Sequence, residues 1–94
     1  MHIIADEIYA QSNYNSSSSF TSLCSLDTGY QNNIHLVYGF AKDFSLSGFK
    51  VGVFFSINSK LTRAMKEIAY FHPVSTLTQR CCENIIGEIG RAHV

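Results

Sequence analysis

Three short apolar runs constrain the fold of this 94-residue chain more than any other feature of its sequence. They span His2–Ala5, Ile34–Phe40 and Val51–Ile57, and a polar loop over residues 11–33 separates the first two. The second and third runs are nearly continuous, which predicts strands covered on both faces, as in α/β sheets. Three such strands need more covering helices than the chain contains. We therefore expect a piece of a larger α/β domain.

Two helices are predicted after the third strand. Ser59 is the expected N-cap of the first helix, which should end near His72 because a proline follows. Ser75 is the expected N-cap of the second. Met65 and Phe71 belong to the apolar face of the first helix, which predicts that this face packs in the core. The third strand should run antiparallel to the second, because only a short turn separates them.

Composition and charge exclude several classes of protein. The formal net charge is zero, which gives no electrostatic attraction to nucleic acid or to an anionic membrane surface. No apolar run is long enough to span a bilayer, and the first ten residues do not resemble a secretory signal. The three cysteines lack CxxC spacing, which favours buried thiols over a disulfide framework or a metal site. We expect a cytoplasmic protein without metal.

Candidate reactive side chains follow the first two strands. Asp6 and Tyr9 come after the first strand, and Lys42 comes after the second. If these strands are parallel neighbours, an acid, a phenol and an amine meet at one edge of the sheet, where α/β proteins bind ligands. A partly desolvated lysine can form a Schiff base with an aldehyde. Lys50 could meet a phosphate as a point charge.

These groups are the contacts that pyridoxal 5'-phosphate needs, since an aspartate facing the pyridine nitrogen keeps the ring an electron sink. The alternative is a common Asp-Glu turn with a solvated loop lysine. Residue spacing alone leaves both interpretations open.

Two motifs resemble a known family. They are Asp6-Glu7-Ile8-Tyr9 and the stretch Ala41-Lys42-Asp43-Phe44 followed by Ser47-Gly48-Phe49-Lys50-Val51-Gly52. Together they resemble the fold-type I pyridoxal-phosphate enzymes, specifically the class I/II aminotransferases, nearest the 1-aminocyclopropane-1-carboxylate synthase-like branch. The resemblance covers roughly residues 2–86. It implies a partial three-layer α/β/α large domain with a mixed, mostly parallel sheet that contains one antiparallel strand.

The resemblance also implies roles for single residues. Lys42 corresponds to the Schiff-base lysine that shuttles the Cα proton, Asp6 to the partner of the pyridine nitrogen, and Tyr9 to the partner of the ring 3-hydroxyl. Lys50 stands where the family has a phosphate-binding arginine, which predicts weaker phosphate binding because a bidentate fork becomes a point charge.

Two further positions depart from the family pattern. Gly39 lacks a serine hydroxyl that many members offer to the cofactor phosphate. Ser45 replaces a usual glycine, which predicts strain in the turn.

The implied function is that of a pyridoxal-phosphate-dependent enzyme acting on an amino acid or an S-adenosylmethionine-like substrate. It is either an aminotransferase or a 1-aminocyclopropane-1-carboxylate synthase-like lyase, and the resemblance implies a homodimer. The family's glycine-rich phosphate loop, ring-stacking aromatic and substrate-carboxylate arginine lie outside the matched segment, so this chain alone is expected to be inactive. The alternative is a catalytically silent relative with a structural or interaction role.

The last residues differ in kind from the rest. Ile89–Val94 resembles the translation of a common sequencing adapter. We therefore expect residues 1–87 to belong to the aminotransferase class I/II large domain and residues 88–94 to be a non-native tail.

Overall fold

The computed structural model describes the backbone of residues 1–92 and the side chains of residues 1–88. Within these residues the chain forms one three-stranded sheet, in the order β1-β2-β3. The strands are β1 (Ile3–Asp6), β2 (Ile34–Gly39) and β3 (Gly52–Ser56). The α-helices are α1 (Phe40–Asp43), α2 (Ser59–Phe71) and α3 (Thr76–Ala92). Single turns of 3-10 helix occur at Leu23–Ser25, Gln31–Asn33 and Ser47–Phe49.

The sheet is mixed, with one parallel and one antiparallel pairing. β1 and β2 are parallel, with Asp6 opposite Val37. β2 and β3 are antiparallel, with Gly39 opposite Gly52. Both expected strand orientations are therefore confirmed, and the mixed sheet with its helices agrees with the expected α/β class.

The caps of α2 and α3 follow from local hydrogen bonds. Asn58, not the predicted Ser59, is the N-cap of α2: its side-chain oxygen accepts a hydrogen bond from the backbone N–H of Leu61. Either residue type is a good N-cap, so the sequence alone could not separate two adjacent candidates. Ser75 caps α3 as predicted, since its Oγ accepts a hydrogen bond from the N–H of Thr78 at 3.1 Å.

The sheet faces are only partly covered by this chain. Ile34 in β2 is buried, but Ile4 in β1 is 67% exposed and Phe55 in β3 is 49% exposed. The C-terminal part of α2 is also open, with Phe71 77% exposed. The prediction that the Met65–Phe71 stripe is a core face is therefore wrong at Phe71 for this chain by itself, because the described residues place nothing over that end of the helix.

A histidine pair occupies the face on which α2 begins. His35 is only 2% exposed, and its Nδ1 lies 2.8 Å from Ser56 Oγ. Its Nε2 lies 2.9 Å from Nδ1 of His2, and the two rings stack with centroids 5.2 Å apart. Ser56 Oγ also accepts a hydrogen bond from the N–H of Asn58. The buried imidazole is therefore fully partnered, as a buried polar group must be.

In the part of the chain that the structure describes, two residues other than glycine adopt left-handed backbone conformations. Ser45 has φ = 56° and Lys50 has φ = 53°, a region that costs a residue with a Cβ about 1–2 kcal/mol. The strain predicted from serine at the family's glycine position is confirmed by the backbone of Ser45.

The remaining features of the fold concern the cysteines and the last helix. Cys82 is buried, Cys24 and Cys81 are half-buried, and all three are free thiols. In the described part of the chain, no helix is both long and apolar enough to cross a membrane. Helix α3 continues to Ala92, and most of the predicted non-native tail, residues 88–94, lies outside the residues whose side chains are described.

Candidate active site

The predicted site residues lie at the edge formed by the carboxyl ends of β1 and β2. Asp6 is the last residue of β1, and Lys42 lies on α1, which begins directly after β2 ends at Gly39. Because β1 and β2 are parallel neighbours, both residues emerge at the same edge. Lys50 reaches this edge from the opposite direction, since β3 is antiparallel and starts two residues later at Gly52.

Two adjacent acids end β1, and the structure gives them different surroundings. Glu7 Oε1 accepts hydrogen bonds from the N–H of Leu23 at 2.9 Å and from Ser22 Oγ at 3.1 Å, so it fastens the long loop to the sheet. Asp6 is exposed, and within the described residues its carboxylate has no protein partner. Of the two acids, only Asp6 is free to meet a ligand.

Tyr9 lies on a compact turn that follows β1. The N–H of Ala10 donates to the Glu7 carbonyl at 3.0 Å, and the N–H of Ser12 donates to the Tyr9 carbonyl at 3.0 Å. These bonds fix the backbone on both sides of Tyr9, while its side chain is 59% exposed. The phenol is therefore presented by an ordered turn.

Lys42 lies on the single turn of α1 and is exposed. Among the residues that the structure describes, its Nζ has no hydrogen-bond or ion-pair partner. The partial desolvation that favours Schiff-base formation is not provided by the described residues, because none of their elements covers α1 from the solvent side. What the chain supplies is the position of the amine.

Gly39 and Lys50 lie at the two ends of the turn that joins β2 to β3. Phe40 N–H donates to the Val51 carbonyl at 3.2 Å, which closes this turn next to Lys50. Gly39 has an extended backbone (φ = −143°), and a Cβ added there would lie 3.7 Å from the Val51 carbonyl oxygen, an ordinary contact. The backbone therefore admits a serine at position 39.

Asp43 is the most connected side chain at this edge, and sequence reasoning missed it. Its Oδ2 accepts hydrogen bonds from the N–H of Gln11 at 2.9 Å and from the Tyr38 hydroxyl at 2.7 Å, and its Oδ1 accepts one from Ser12 Oγ. We call Asp43 with these three donors the Asp43 clip. It joins three elements: the turn after β1, strand β2 and helix α1.

The clip changes the titration of its two acids. Burial raises the pKa of Asp43, but the hydrogen bonds from Ser12, Tyr38 and Gln11 lower it more, so its pKa lies below the usual carboxyl value. Burial, and then the hydrogen bond and negative charge of Asp43, raise the pKa of Tyr38 well above its usual value. The carboxylate is thus ionised and the phenol neutral over the physiological range.

All four predicted residues lie next to strand ends at this edge and are exposed, so the edge does not enclose them. The larger apolar hollows lie elsewhere, including one at the amino ends of β1 and β2 that is lined by Ile3, Leu23 and Ile34. Within the described residues, no cluster of three or more histidine, cysteine or acidic side chains could hold a metal ion. The edge presents a carboxylate, a phenol and two amines to solvent.

Comparison with known proteins gives consistent matches. A family model described as "Aminotransferase class I and II" matches residues 1–90. The chain is 42% identical over 84 residues to 1-aminocyclopropane-1-carboxylate synthase 6 of Oryza sativa subsp. japonica, covering 85% of this chain and 15% of that protein. It is 31% identical over 93 residues to 1-aminocyclopropane-1-carboxylate synthase 7 of Arabidopsis thaliana, covering 94% of this chain and 21% of that protein.

A third relative has a different description. The chain is 40% identical over 80 residues to "Probable inactive 1-aminocyclopropane-1-carboxylate synthase-like protein 2" of Mus musculus, covering 84% of this chain and 14% of that protein. The chain spans less than a quarter of the length of each of these three relatives. The matches confirm the resemblance based on the two motifs, while the roles of single residues stay predictions.

Proposed function

Since this chain belongs to the aminotransferase class I and II family, we propose that it forms part of the cofactor-binding domain of a pyridoxal-phosphate-dependent enzyme. In the whole protein, the three strands would be part of a larger mixed sheet with helices on both sides. The exposure of Ile4 and Phe55 supports this arrangement, because apolar strand faces need cover.

One observation carries the proposal. Asp6 and Lys42 follow parallel neighbouring strands, emerge at the same edge, and have no protein partners within the described residues. Their sequence neighbours Glu7 and Asp43, in contrast, are fully engaged in holding loops. The chain thus uses one member of each adjacent pair for structure and leaves the other exposed to solvent, as a ligand site requires.

The donor set fits pyridoxal phosphate, which when bound supplies an electron sink for reactions at the substrate Cα. Lys42 Nζ would hold the cofactor through a Schiff base and would later move the Cα proton. The Asp6 carboxylate would keep a proton on the ring nitrogen, and the Tyr9 hydroxyl would donate to the ring 3-oxygen. The Lys50 ammonium would bind the phosphate as a point charge.

The substrate and partners are proposed from the relatives. Two of them are named 1-aminocyclopropane-1-carboxylate synthases, which favours an amino acid or an S-adenosylmethionine-like substrate. We place the whole protein in the cytoplasm as a homodimer, and we propose transamination or synthase-like elimination as its reaction. The 94-residue chain alone would be inactive, since it supplies one wall of the site.

A second candidate function is a catalytically silent relative with a structural or interaction role. Two observations favour it: the similarity to the mouse protein whose name includes "inactive", and the lysine at position 50. An ammonium cannot make the two parallel hydrogen bonds that a guanidinium makes to a phosphate. The two candidates differ in whether Lys42 reacts.

Borohydride labelling of the whole protein separates them. After incubation with pyridoxal phosphate and reduction, we expect the cofactor to be fixed on Lys42, together with visible absorbance before reduction. Lys42→Ala should abolish both signals without loss of folded structure by circular dichroism. Lys60→Ala, on the exposed start of α2, is the matched control and should change neither.

The same assay tests the phosphate contact. Lys50→Arg restores the bidentate guanidinium, and we expect it to tighten cofactor binding by about tenfold, since a hydrogen bond to a charged group contributes about 1.5 kcal/mol or more. Absence of labelling at Lys42 with excess cofactor, in both the natural protein and Lys50→Arg, would exclude the enzyme and support the silent relative.

A further inference from the structure

We propose that Asp43 is a positioning residue that sets the Tyr9 phenol against the Lys42 amine. The inference rests on the proposed function, because it concerns the same site. Asp43 follows Lys42 on α1, and its carboxylate accepts hydrogen bonds from Gln11 and Ser12, which lie two and three residues after Tyr9. The clip therefore ties the turn that carries the phenol to the helix that carries the amine.

The geometry makes this tie specific. The N–H of Ser12 donates a hydrogen bond to the Tyr9 carbonyl, and the Ser12 hydroxyl donates one to Asp43. Two successive hydrogen bonds through Ser12 therefore link the Asp43 carboxylate to the backbone of Tyr9. The pairing of β1 with β2 fixes only the strand ends. Within the described residues, the turn beyond Asp6 makes no hydrogen bond to α1 other than the two to Asp43.

Tyr38 anchors the clip to the sheet. Its hydroxyl donates to the same Oδ2 that accepts from Gln11, and Tyr38 is part of β2, paired with Val53 of β3. The carboxylate is thus anchored to the sheet on one side and to the turn on the other. Charge strengthens the bonds, since hydrogen bonds to an ionised acceptor are roughly twice as strong as neutral ones.

The hydrogen bonds of the clip also occupy the Asp43 carboxylate, so that it does not pair with the Lys42 amine. All three donors approach the carboxylate from residues other than Lys42, and no ion pair joins the two side chains in the described chain. A neighbouring acid with no donors of its own would be free to pair with the amine. The clip thus positions the phenol and at the same time keeps the amine available.

The test is a double-mutant cycle in the whole protein between Asp43→Ala and Tyr9→Phe, read as the dissociation constant of pyridoxal phosphate. If Asp43 acts by positioning the phenol, Asp43→Ala should weaken binding by about five- to tenfold in the natural background. In the Tyr9→Phe background the same change should cost less than about twofold, because the hydroxyl that it positions is already absent. Additive effects in the two backgrounds would overturn the proposal.

A second measurement does not depend on bound cofactor. Hydrogen exchange of the Gln11 amide in the cofactor-free protein should speed up in Asp43→Ala, because its acceptor is lost. Asp43→Asn keeps one acceptor oxygen and should retain part of the protection. Asp27→Asn, whose carboxylate only accepts from Gln31, is the matched control and should leave the Gln11 amide unchanged. Unchanged protection in Asp43→Ala would also overturn the proposal.

The outcomes distinguish this inference from the proposed function. If the natural protein is not labelled at Lys42, the proposed function fails and the positioning role fails with it. If labelling occurs at Lys42 but the cycle is additive, the proposed function stands and only the role of Asp43 is rejected. Should Asp43→Ala fail to fold, Ser12→Ala removes one donor and leaves the acid, and its cycle with Tyr9→Phe should show coupling of the same sign.

Discussion

The carboxyl-end edge of the sheet and the two faces of the sheet differ in how much of their surroundings this chain provides. At the edge, Glu7 receives two hydrogen bonds and Asp43 receives three, all from within the chain. On the faces, Phe55 is half exposed and Ile4 is mostly exposed, as is Phe71 on α2. Polar partners at the edge come from loops close to it. Within the described residues, no helix or strand covers these apolar side chains.

This difference shows that the contacts that fix the positions of the loops are not those that supply most of the free energy of folding. Hydrogen bonds specify where the loops lie, but each contributes only about 0.5–1.5 kcal/mol net. Apolar burial supplies most of the free energy of folding. A chain that has its polar contacts without its apolar cover therefore specifies where its loops lie but has little free energy with which to hold that arrangement alone.

The largest expected effect concerns the isolated 94-residue chain. We expect it to lack a cooperative unfolding transition, because its apolar strands are uncovered and the small sheet exposes edges prone to aggregation. A urea titration followed by circular dichroism should show a gradual change without a defined midpoint. A sigmoidal transition with one midpoint would mean that the exposed faces do not decide stability.

The sequence predicts the local features of this chain, but it does not predict the long-range contacts between its loops and strands. The apolar runs and the two motifs predicted the strands, their directions, and the shared edge of Asp6 and Lys42, because these depend on short stretches of chain. The strain at Ser45 was also predictable, since a turn that favours glycine penalises a Cβ.

Sequence patterns do not predict contacts between residues that lie far apart in the chain. Asp43 pairs with residues 31 and 32 positions away, and His2 pairs with His35, 33 positions away. His2 was counted as part of an apolar run, because nothing in one strand identifies the side chain opposite. The polar partners of loops depend on how the loops fold back, which no local propensity specifies.

A second prediction tests the face at His35, the buried polar side chain among the described residues. In the whole protein, His35→Ala should lower the free energy of unfolding by about 1–3 kcal/mol, because it opens a cavity and leaves Ser56 without its ring partner. His72→Ala, at the exposed end of α2, is the matched control and should change the free energy of unfolding by less than about 0.5 kcal/mol. Equal effects in denaturant titrations would show that the buried histidine is not part of the stabilising face.

A third prediction concerns the edge and pH. The pKa of Asp43 is lowered in the folded state, so its stabilising contribution is present above the unfolded carboxyl value and is lost as pH falls through the folded value. The free energy of unfolding of the whole protein should therefore fall as pH drops below about 4. Asp43→Asn should flatten this dependence, whereas Asp27→Asn should not. A pH profile unaffected by Asp43→Asn would mean that the clip contributes shape alone.

The smallest expected effect tests the turn that joins the edge to β3. Ser45 has φ = 56°, which strains a residue with a Cβ, and Ser47, two positions later, lies in the 3-10 turn without positive φ. In the whole protein, Ser45→Gly should raise the free energy of unfolding by about 0.5 kcal/mol, since relief of about 1–2 kcal/mol of strain is offset by the greater backbone entropy that glycine loses on folding. Ser47→Gly should lower it by about 0.5–1 kcal/mol, because there the entropy cost has no strain to offset it. Opposite signs in paired thermal melts would identify the edge as a place where the chain tolerates strain to hold Lys42 and Lys50 in position. A loss of stability in both variants would show that the left-handed turn at Ser45 is not strained.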